Sequence, residues 1–339
     1  IHSDRRFTYE EAQEIIESGK GDFAEEVQLL NKIALKLRKD KFAEGAIAFE
    51  SDEVKFKLDD KGKPIEVYVK ERKEAHMLVE DFMLLANKGV AIYIDKRSKG
   101  VEIPFIYRVH DEPDPDRVKD FAMFAKEMGF EMKTDTPQQI IDSYNSLGEA
   151  ARENELLKML EPLAIRTMAK AVYTTDNIGH YGLGFDFYAH FTSPIRRYAD
   201  VMVHRVLYVN LGAEPKRWNK QSMEDQAVHI SAQERKAMTA ERESIKYKSV
   251  EFMQGKEGEV FDAHISGMID KGIFVQLKES RAEGLILFSD FKESFELSES
   301  KLKAVGNRSK RVLKMGQDLK VRLLETDLHA RQLDFEIVE

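Results

Sequence analysis

Residues 179–205, GHYGLGFDFYAHFTSPIRRYADVMVHR, are the most informative run for chemistry, combining histidines, aromatics, an arginine pair and an aspartate. Ser193 followed by Pro194 predicts the opening of a helix that runs to about Val209, since serine suits the N-cap and proline the first helical position. Arg196 and Arg197 then fall in the first turn, where a positive charge opposes the helix dipole. A phosphate there would offset that repulsion and accept bidentate hydrogen bonds from a guanidinium. Asp200 and His204, four apart, share one helical face with Arg196 or Arg197. Five aromatics lie just upstream: Tyr181, Phe185, Phe187, Tyr188 and Phe191. An arginine fork beside aromatic rings suits a nucleic-acid backbone and its bases. On spacing alone, an aromatic core segment followed by a helix with ordinary salt bridges accounts for the same residues. Gly179, Gly182 and Gly184 are spaced GxxGxG, which is not the dinucleotide-binding fingerprint.

The elements around this stretch are mostly helical. Thr8 and Glu11 form a capping-box pattern ahead of a helix over 9–17. Val27, Leu30, Ile33, Ala34 and Leu37 continue at helical spacing. Residues 46–69 change to alternation about a DDKGK turn, which predicts a β-hairpin. Helices are expected over 72–94, 114–129, 137–148, 152–172 and 223–253, with 103–109 as a short apolar run and 174–193 as loops and short strands. From Lys256 the pattern becomes five short β-type runs, GEVFDAHISG, KGIFVQLK, EGLILFS, DLKVRLLETD and RQLDFEIV. Their turns hold Gly267, Gly272 and Gly284, and five such runs in about 84 residues predict a small barrel of the OB type. Val260, Ile265, Phe274, Leu285, Val321 and Phe335 are its core candidates, with Phe288 beside them. The fold class is α+β, with a boundary at Gln254–Gly255 separating residues 1–253 from 256–339. No internal repeat or low-complexity tract is visible.

Composition narrows the function classes. The chain has 339 residues, 42% of them hydrophobic and 34% charged, with a formal charge of −8. That balance fits a folded, soluble protein. It has no cysteine, so disulfides and thiolate metal sites are excluded and a reducing cytoplasm is expected. No apolar run approaches the roughly 20 residues of a membrane span, and the first twenty residues do not read as a signal peptide. The first residue is Ile1 rather than Met, which hints at a segment removed upstream. The acidic balance does not exclude a nucleic-acid partner, because affinity depends on phosphates neutralised locally. Residues 195–248 carry eleven Lys and Arg against seven Asp and Glu, whereas residues 256–339 carry fourteen against sixteen.

The 179–205 segment resembles the signature of the RNB exoribonucleases, the ribonuclease II and ribonuclease R family. Other blocks agree in order. IHSDRRFTYEEA resembles the family's "SHARLTY" block, and GAIAFESDEVKFKL its "GGISFESEEAKF" hairpin. HMLVEDFMLLAN resembles "KLIEECMILAN", and IYRVHDEPDPD resembles "LFRIHDKPS". The terminal runs resemble the S-one-type RNA-binding OB-fold that follows the catalytic domain. The resemblance covers essentially the whole chain, with ribonuclease R the nearer branch.

The resemblance implies a processive 3′-to-5′ exoribonuclease of the hydrolase class. It would release nucleoside 5′-monophosphates from the 3′ end of single-stranded RNA and serve RNA turnover and quality control. Such an enzyme is expected to be a cytoplasmic monomer without membrane contact. Magnesium ions held by four aspartates in a D-x5-D-x-D-D pattern would activate water. That pattern is expected upstream of IHSDRRFTYEEA and is absent here, since neither Asp59–Asp60 nor Asp114 with Asp116 matches it. Two upstream cold-shock domains are missing as well. The chain therefore resembles the later, C-terminal portion of an RNB catalytic domain, mainly helical with a β-hairpin, over 1–253. A five-stranded OB-fold barrel over 256–339 follows. Alone it is expected to bind no metal stably and to be inactive, as a non-catalytic RNA-binding module or a stable fragment.

Residue by residue, Arg196 matches the arginine that holds the scissile phosphate, with Arg197 the adjacent candidate and the two left unranked. Phe49 matches an aromatic that stacks on the terminal bases, Glu80 a glutamate near the terminal ribose, and Glu241 a glutamate near the RNA end. Without the resemblance, Phe49 reads as core, and Glu80 and Glu241 as solvated helix charges. Glu234, seven residues before Glu241, is a competing match. In the barrel, Phe274 matches a stacking aromatic, and Asp327 and Arg331 match polar RNA contacts. Two positions depart from the pattern. Lys271 replaces the first aromatic, where it could contact phosphate, and Leu287 replaces a histidine.

Overall fold

The computed structural model describes residues 2–48, 53–98, 102–212, 218–291, 293–298 and 302–338. Nine helices are described: α1 (Tyr9–Ser18), α2 (Ala24–Ala43), α3 (Glu74–Arg97), α4 (Pro115–Glu127), α5 (Pro137–Ala151), α6 (Glu155–Lys158), α7 (Glu161–Thr167), α8 (Tyr198–Asn210) and α9 (Lys220–Met253). The described strands are β1 (Glu53–Leu58), β2 (Pro64–Lys70), β3 (Tyr107–Val109), β4 (Val172–Thr174), β5 (Val260–Ile269), β6 (Gly272–Leu277), β7 (Glu283–Leu287), β8 (Phe295–Leu297), β9 (Lys303–Gly306), β10 (Val312–Lys314), β11 (Asp318–Asp327) and β12 (Gln332–Ile337). The chain is thus a mixture of helix and sheet. It divides into two units. One comprises Ile1–Phe49, Glu71–Glu149 and Pro162–Arg235, and the other Glu50–Lys70, Ala150–Glu161 and Lys236–Glu339.

In the first unit, α1 opens with the expected capping box. Thr8 Oγ1 accepts from the Glu11 N–H at 3.2 Å, and the Glu11 carboxylate accepts from the Thr8 N–H at 2.7 Å. Gly19 closes the helix with φ 68°, a left-handed conformation that glycine adopts without a Cβ clash. The core sets Ala91 and Ile94 of α3 against Phe105 and Ile106 and against Met202, Val203 and Val206 of α8. Within α3 the fully buried positions are Ala75, Asp81, Asn87, Ala91 and Ile94, whereas Leu85 is exposed. Two of those five, Asp81 and Asn87, are polar, so the inward face of α3 is not a purely apolar stripe.

Two helix expectations need correction. The helix expected over 152–172 is two short ones, α6 and α7, followed by β4, which pairs antiparallel with β3. Pro162 has no N–H to give to the preceding turn, so one continuous helix cannot form through it. The helix expected to open at Ser193–Pro194 opens at Tyr198 instead, with Arg197 in an extended conformation at its N-cap. The cause is tertiary. Asp200 Oδ1 accepts the Ser193 N–H at 2.7 Å, drawing that residue into a turn ahead of the helix.

In the second unit, β1 and β2 form the expected hairpin. Asp59 Oδ1 accepts from the Lys61 and Lys63 N–H groups, which fixes its turn. Beyond α9, pairing runs β5–β6–β7–β12–β11, and β11 pairs with β5 again, so the sheet closes on itself. These are the five runs read from the sequence. The three-stranded sheet β8–β9–β10 was not predicted.

Ile265, Val321 and Phe335 are fully buried, as expected, and Phe288 is buried. Val260 is 45% exposed, and Phe274 and Leu285 are half-buried. Those three have the wrong parity: Ala263 and Ile265, Ile273 and Val275, and Gly284 and Ile286 point inward.

Gly284 is where the closed sheet is tightest. A Cβ there would lie 2.3 Å from the Phe335 ring and 2.5 Å from the Leu333 carbonyl oxygen. Gly284→Ala is therefore expected to cost about 1–3 kcal/mol by overpacking. Gly89→Ala, in α3 with nothing within 4 Å of its Cβ, should gain about 0.5–1 kcal/mol. Urea unfolding of the two variants should shift the midpoint in opposite directions. A Gly284→Ala protein as stable as the parent would show that the strands part freely there.

Candidate nucleic-acid interface

The signature segment is held from both sides by backbone capture. The His110 N–H donates to the Gly179 carbonyl at 3.0 Å, and the Tyr181 N–H donates to the His110 carbonyl at 2.8 Å. His110 Nδ1 accepts from the Gly182 N–H at 2.9 Å, which leaves Nε2 to donate to the Ala169 carbonyl at 2.8 Å. Burial holds this imidazole below its ordinary pKa. The glycines thus serve close packing. A Cβ on Gly184, where φ is 64°, would sit 2.7 Å from the Glu44 carbonyl oxygen. The Ile47 N–H donates to the Gly182 carbonyl at 3.0 Å. Asn145 holds Ala46 and Ala48 through both ends of its amide. The backbone leading towards position 49 is therefore docked on the signature loop. Phe49 itself lies outside the described residues.

Asn87 clamps the other end. Its Oδ1 accepts from the Phe191 N–H at 2.9 Å and the Thr192 N–H at 3.2 Å, and its Nδ2 donates to the Tyr188 hydroxyl at 3.1 Å. Sequence reasoning missed Asn87. Its only signal was a polar residue inside an otherwise apolar helical stretch. His204 fixes Phe191, donating from Nε2 to its carbonyl at 2.8 Å and stacking on its ring at 4.1 Å.

The turn between these anchors separates the two arginines. Arg197 Nη2 donates to Asp200 Oδ1 at 2.9 Å, and its Nε lies 2.8 Å from Oδ2. Asp200 is fully buried and Arg197 largely so. The charge that offsets Arg197 at the helix start is therefore a carboxylate of the same helix, not a phosphate. Arg196 is exposed, and its guanidinium makes no hydrogen bond or ion pair among the described residues.

Behind the turn runs a second chain of contacts. Glu234 accepts from Arg108 at 2.6 Å, and the Arg108 guanidinium lies 4.6 Å from the Tyr173 ring centroid. The Tyr173 hydroxyl lies 2.7 Å from His190 Nδ1. Burial pushes Tyr173 up to about 12, so it stays protonated. Burial, reinforced by Arg197 and Arg108, pushes His190 down to about 2. Glu234 is thus committed to Arg108.

The remaining candidates fall as follows. Glu80 sits on α3 and pairs with Arg72. It is seven residues before Asn87 on the same helix, about 10 Å along the axis. Its neighbour Asp81 is the buried carboxylate, paired with Arg38. In the second unit, Glu241 is exposed on α9, where its charge acts on Lys55. Phe274 projects outward from β6 opposite Gly267, where an added Cβ would lie 3.5 Å from its ring. Lys271 is exposed in the β5–β6 turn, and its carbonyl accepts from the Phe288 N–H. Leu287 is paired across the sheet from Gly272. Phe274, Lys271 and Leu287 therefore share one region of the sheet. Asp327 caps the β11–β12 turn, accepting from the Ala330 N–H at 2.8 Å. Arg331, with φ 56°, pairs with Glu243 of α9.

Among the described residues, no group of three or more His, Asp or Glu side chains could hold a metal ion. Asp59 and Asp114 are accounted for locally, Asp59 in its turn and Asp114 as the N-cap of α4. Among the described residues, no helix is long and apolar enough to cross a membrane.

Comparison with known proteins bears on this arrangement. The RNB domain matches residues 1–213, and the S1 RNA binding domain matches residues 255–337. Ribonuclease R of Aquifex aeolicus is 33% identical over 354 residues, covering 100% of this chain and 49% of that protein. Ribonuclease R of Thermotoga maritima is 33% identical over 351 residues, with 100% and 49% covered. The chain spans about half the length of these curated relatives. The solved structure of Mycoplasma genitalium RNase R in complex with ribose methylated single-stranded RNA has a TM-score of 0.88 at 24% identity, covering 98% of this chain and 53% of that one. That likeness is one of fold. Because the domain match covers more than half its length, the chain belongs to the RNB family, with an S1 domain following.

Proposed function

We propose that this chain is the RNA-holding part of a processive, magnesium-dependent 3′-to-5′ exoribonuclease that degrades single-stranded RNA to nucleoside 5′-monophosphates. The observation that carries this reading is the division of labour in one turn. Arg197 is consumed by Asp200, while Arg196 is left exposed and unpaired among the described residues. A fixed turn presenting one free guanidinium suits a phosphodiester. In this reading Arg196 takes the scissile phosphate, Glu80 faces the terminal ribose and Glu241 the RNA end. Phe274 stacks on a base, with Lys271, Asp327 and Arg331 around it. The division of roles is residues 1–253 for the catalytic portion and 256–339 for the RNA-binding barrel. The protein acts as a cytoplasmic monomer.

Magnesium belongs to the complete enzyme, where it would activate water. The described residues do not form a cradle for it. A hard cation needs several oxygen ligands, so no step of the present chain is routed through the metal. The chain's own part is to bind and orient the RNA end. The test is labelled single-stranded RNA incubated with purified chain and magnesium. Retention of the RNA without shortening is expected. Stepwise shortening from the 3′ end that persists through repurification would overturn the assignment of a purely RNA-holding role.

A further inference from the structure

We propose that His190 is a further RNA contact, donating from Nε2–H to a phosphodiester oxygen beside Arg196. This rests on the reading of the Arg196 turn as a phosphate site. His190 lies three residues before Ser193, in the stretch pinned by Asn87 through Phe191 and Thr192. Its neighbours Ala189 and Tyr173 are buried, yet His190 itself is part-exposed. Its Nδ1 is taken by the Tyr173 hydroxyl at 2.7 Å. The Tyr173 hydroxyl has no other hydrogen-bond partner among the described residues, so it satisfies its proton by donating to Nδ1. The ring proton then resides on Nε2, since a neutral imidazole carries one N–H. Nε2 makes no hydrogen bond among the described residues and is not sealed in the interior.

The surroundings keep this donor neutral. Arg196, Arg197 and Arg108 all act on the ring, and burial disfavours its charged form. The Tyr173 end is itself held, because its ring lies under Arg108, its N–H donates to Ser231 and Glu234 fixes Arg108. The result is a directed N–H donor on a ring that feels the Arg196 charge. It would add a fixed direction to the charge that Arg196 supplies, and would not titrate across the neutral range. The partner that matches a neutral donor next to guanidinium is an anionic oxygen.

Three variants separate contact from support. Glutamine places its amide nitrogen near Nε2, asparagine places its polar atoms near Nδ1, and phenylalanine removes both. The chain is titrated with a fluorescein-labelled ten-nucleotide RNA, and with DNA of the same sequence, at one fixed salt concentration. His190→Gln should bind both within about twofold of the parent. His190→Asn and His190→Phe should each lose about tenfold, the scale of one hydrogen bond to a charged group. If Asn binds well and Gln poorly, His190 only holds Tyr173, and the inference fails. If the loss is confined to RNA, the contact is to the 2′-hydroxyl, and the inference fails. Nitrogen-15 spectra of the unmodified chain test the tautomer without any variant: His190 should be Nε2–H and neutral from pH 5 to 8. An Nδ1–H tautomer overturns the inference while leaving the phosphate reading of Arg196 intact. Absence of RNA binding by the unmodified chain, with the tautomer as expected, overturns both.

Discussion

Arg196→Ala in the complete enzyme is expected to lower single-turnover RNA hydrolysis by about 10²–10³-fold while weakening RNA affinity far less. The expectation begins with the position. Arg196 is exposed in a turn whose other members are tied down: Ser193 to Asp200, Arg197 to Asp200, and Phe191 and Thr192 to Asn87. A guanidinium presented by a rigid turn moves little when charge develops on a phosphate. Donors pre-aimed at developing charge contribute about 2.7–4 kcal/mol each. Affinity is spread over many phosphate and stacking contacts, so one arginine is a small part of it. Arg196→Lys should recover only part of the rate, because an ammonium cannot make the planar two-pronged contact. The measurement is single-turnover cleavage at saturating enzyme beside an equilibrium titration of the same RNA. If rate and affinity fall by equal factors, Arg196 contributes uniform binding and has no special claim on the transition state.

The ranking of the two arginines could not have been read from the sequence. Arg196 and Arg197 are adjacent and chemically identical, and what separates them is the side of the turn on which Asp200 lies. The same aspartate moved the helix start. Ser193–Pro194 is a good local opening signal, and a tertiary hydrogen bond from the Ser193 N–H to Asp200 overrode it. Elements whose cause is local were legible: the Thr8–Glu11 capping box, the hairpin about Asp59 and the five alternating runs after Lys256. The strands β8, β9 and β10 were not. They are three or four residues long and carry too little alternation to register a period of two. Core parity in the closed sheet failed for a related reason. Two adjacent apolar residues, such as Ile273 with Phe274, give no indication of which points inward. Here Phe274 points outward, which removes it from the core and leaves it where an RNA base could reach it. Asn87 was hidden because one buried amide inside a helix has no sequence pattern, although it makes three of the hydrogen bonds that shape the site.

Arg197→Ala should act on stability where Arg196→Ala acts on rate. Asp200 is fully buried, and its two oxygens face the Arg197 guanidinium at 2.9 and 2.8 Å. Removing the arginine leaves that carboxylate without its counter-ion in a site closed to water. Breaking a buried pair from one side typically costs about 3–5 kcal/mol. One donor survives, the Ser193 N–H at 2.7 Å, which places the expected loss near the lower end, at about 3 kcal/mol. Arg196→Ala, at an exposed position without a partner among the described residues, should stay within about 0.5 kcal/mol of the parent. The double variant Arg197→Ala with Asp200→Asn should recover part of the loss, because the amide needs no counter-ion while its oxygen can still accept the Ser193 N–H. Urea unfolding of the chain followed by tryptophan fluorescence supplies the measurement. Trp218, which packs against the core that holds Met202 and Val203 of α8, reports on this unit. An Arg197→Ala chain as stable as the parent would mean that water or a neighbouring cation reaches Asp200. The pair could not then be what frees Arg196 for the phosphate.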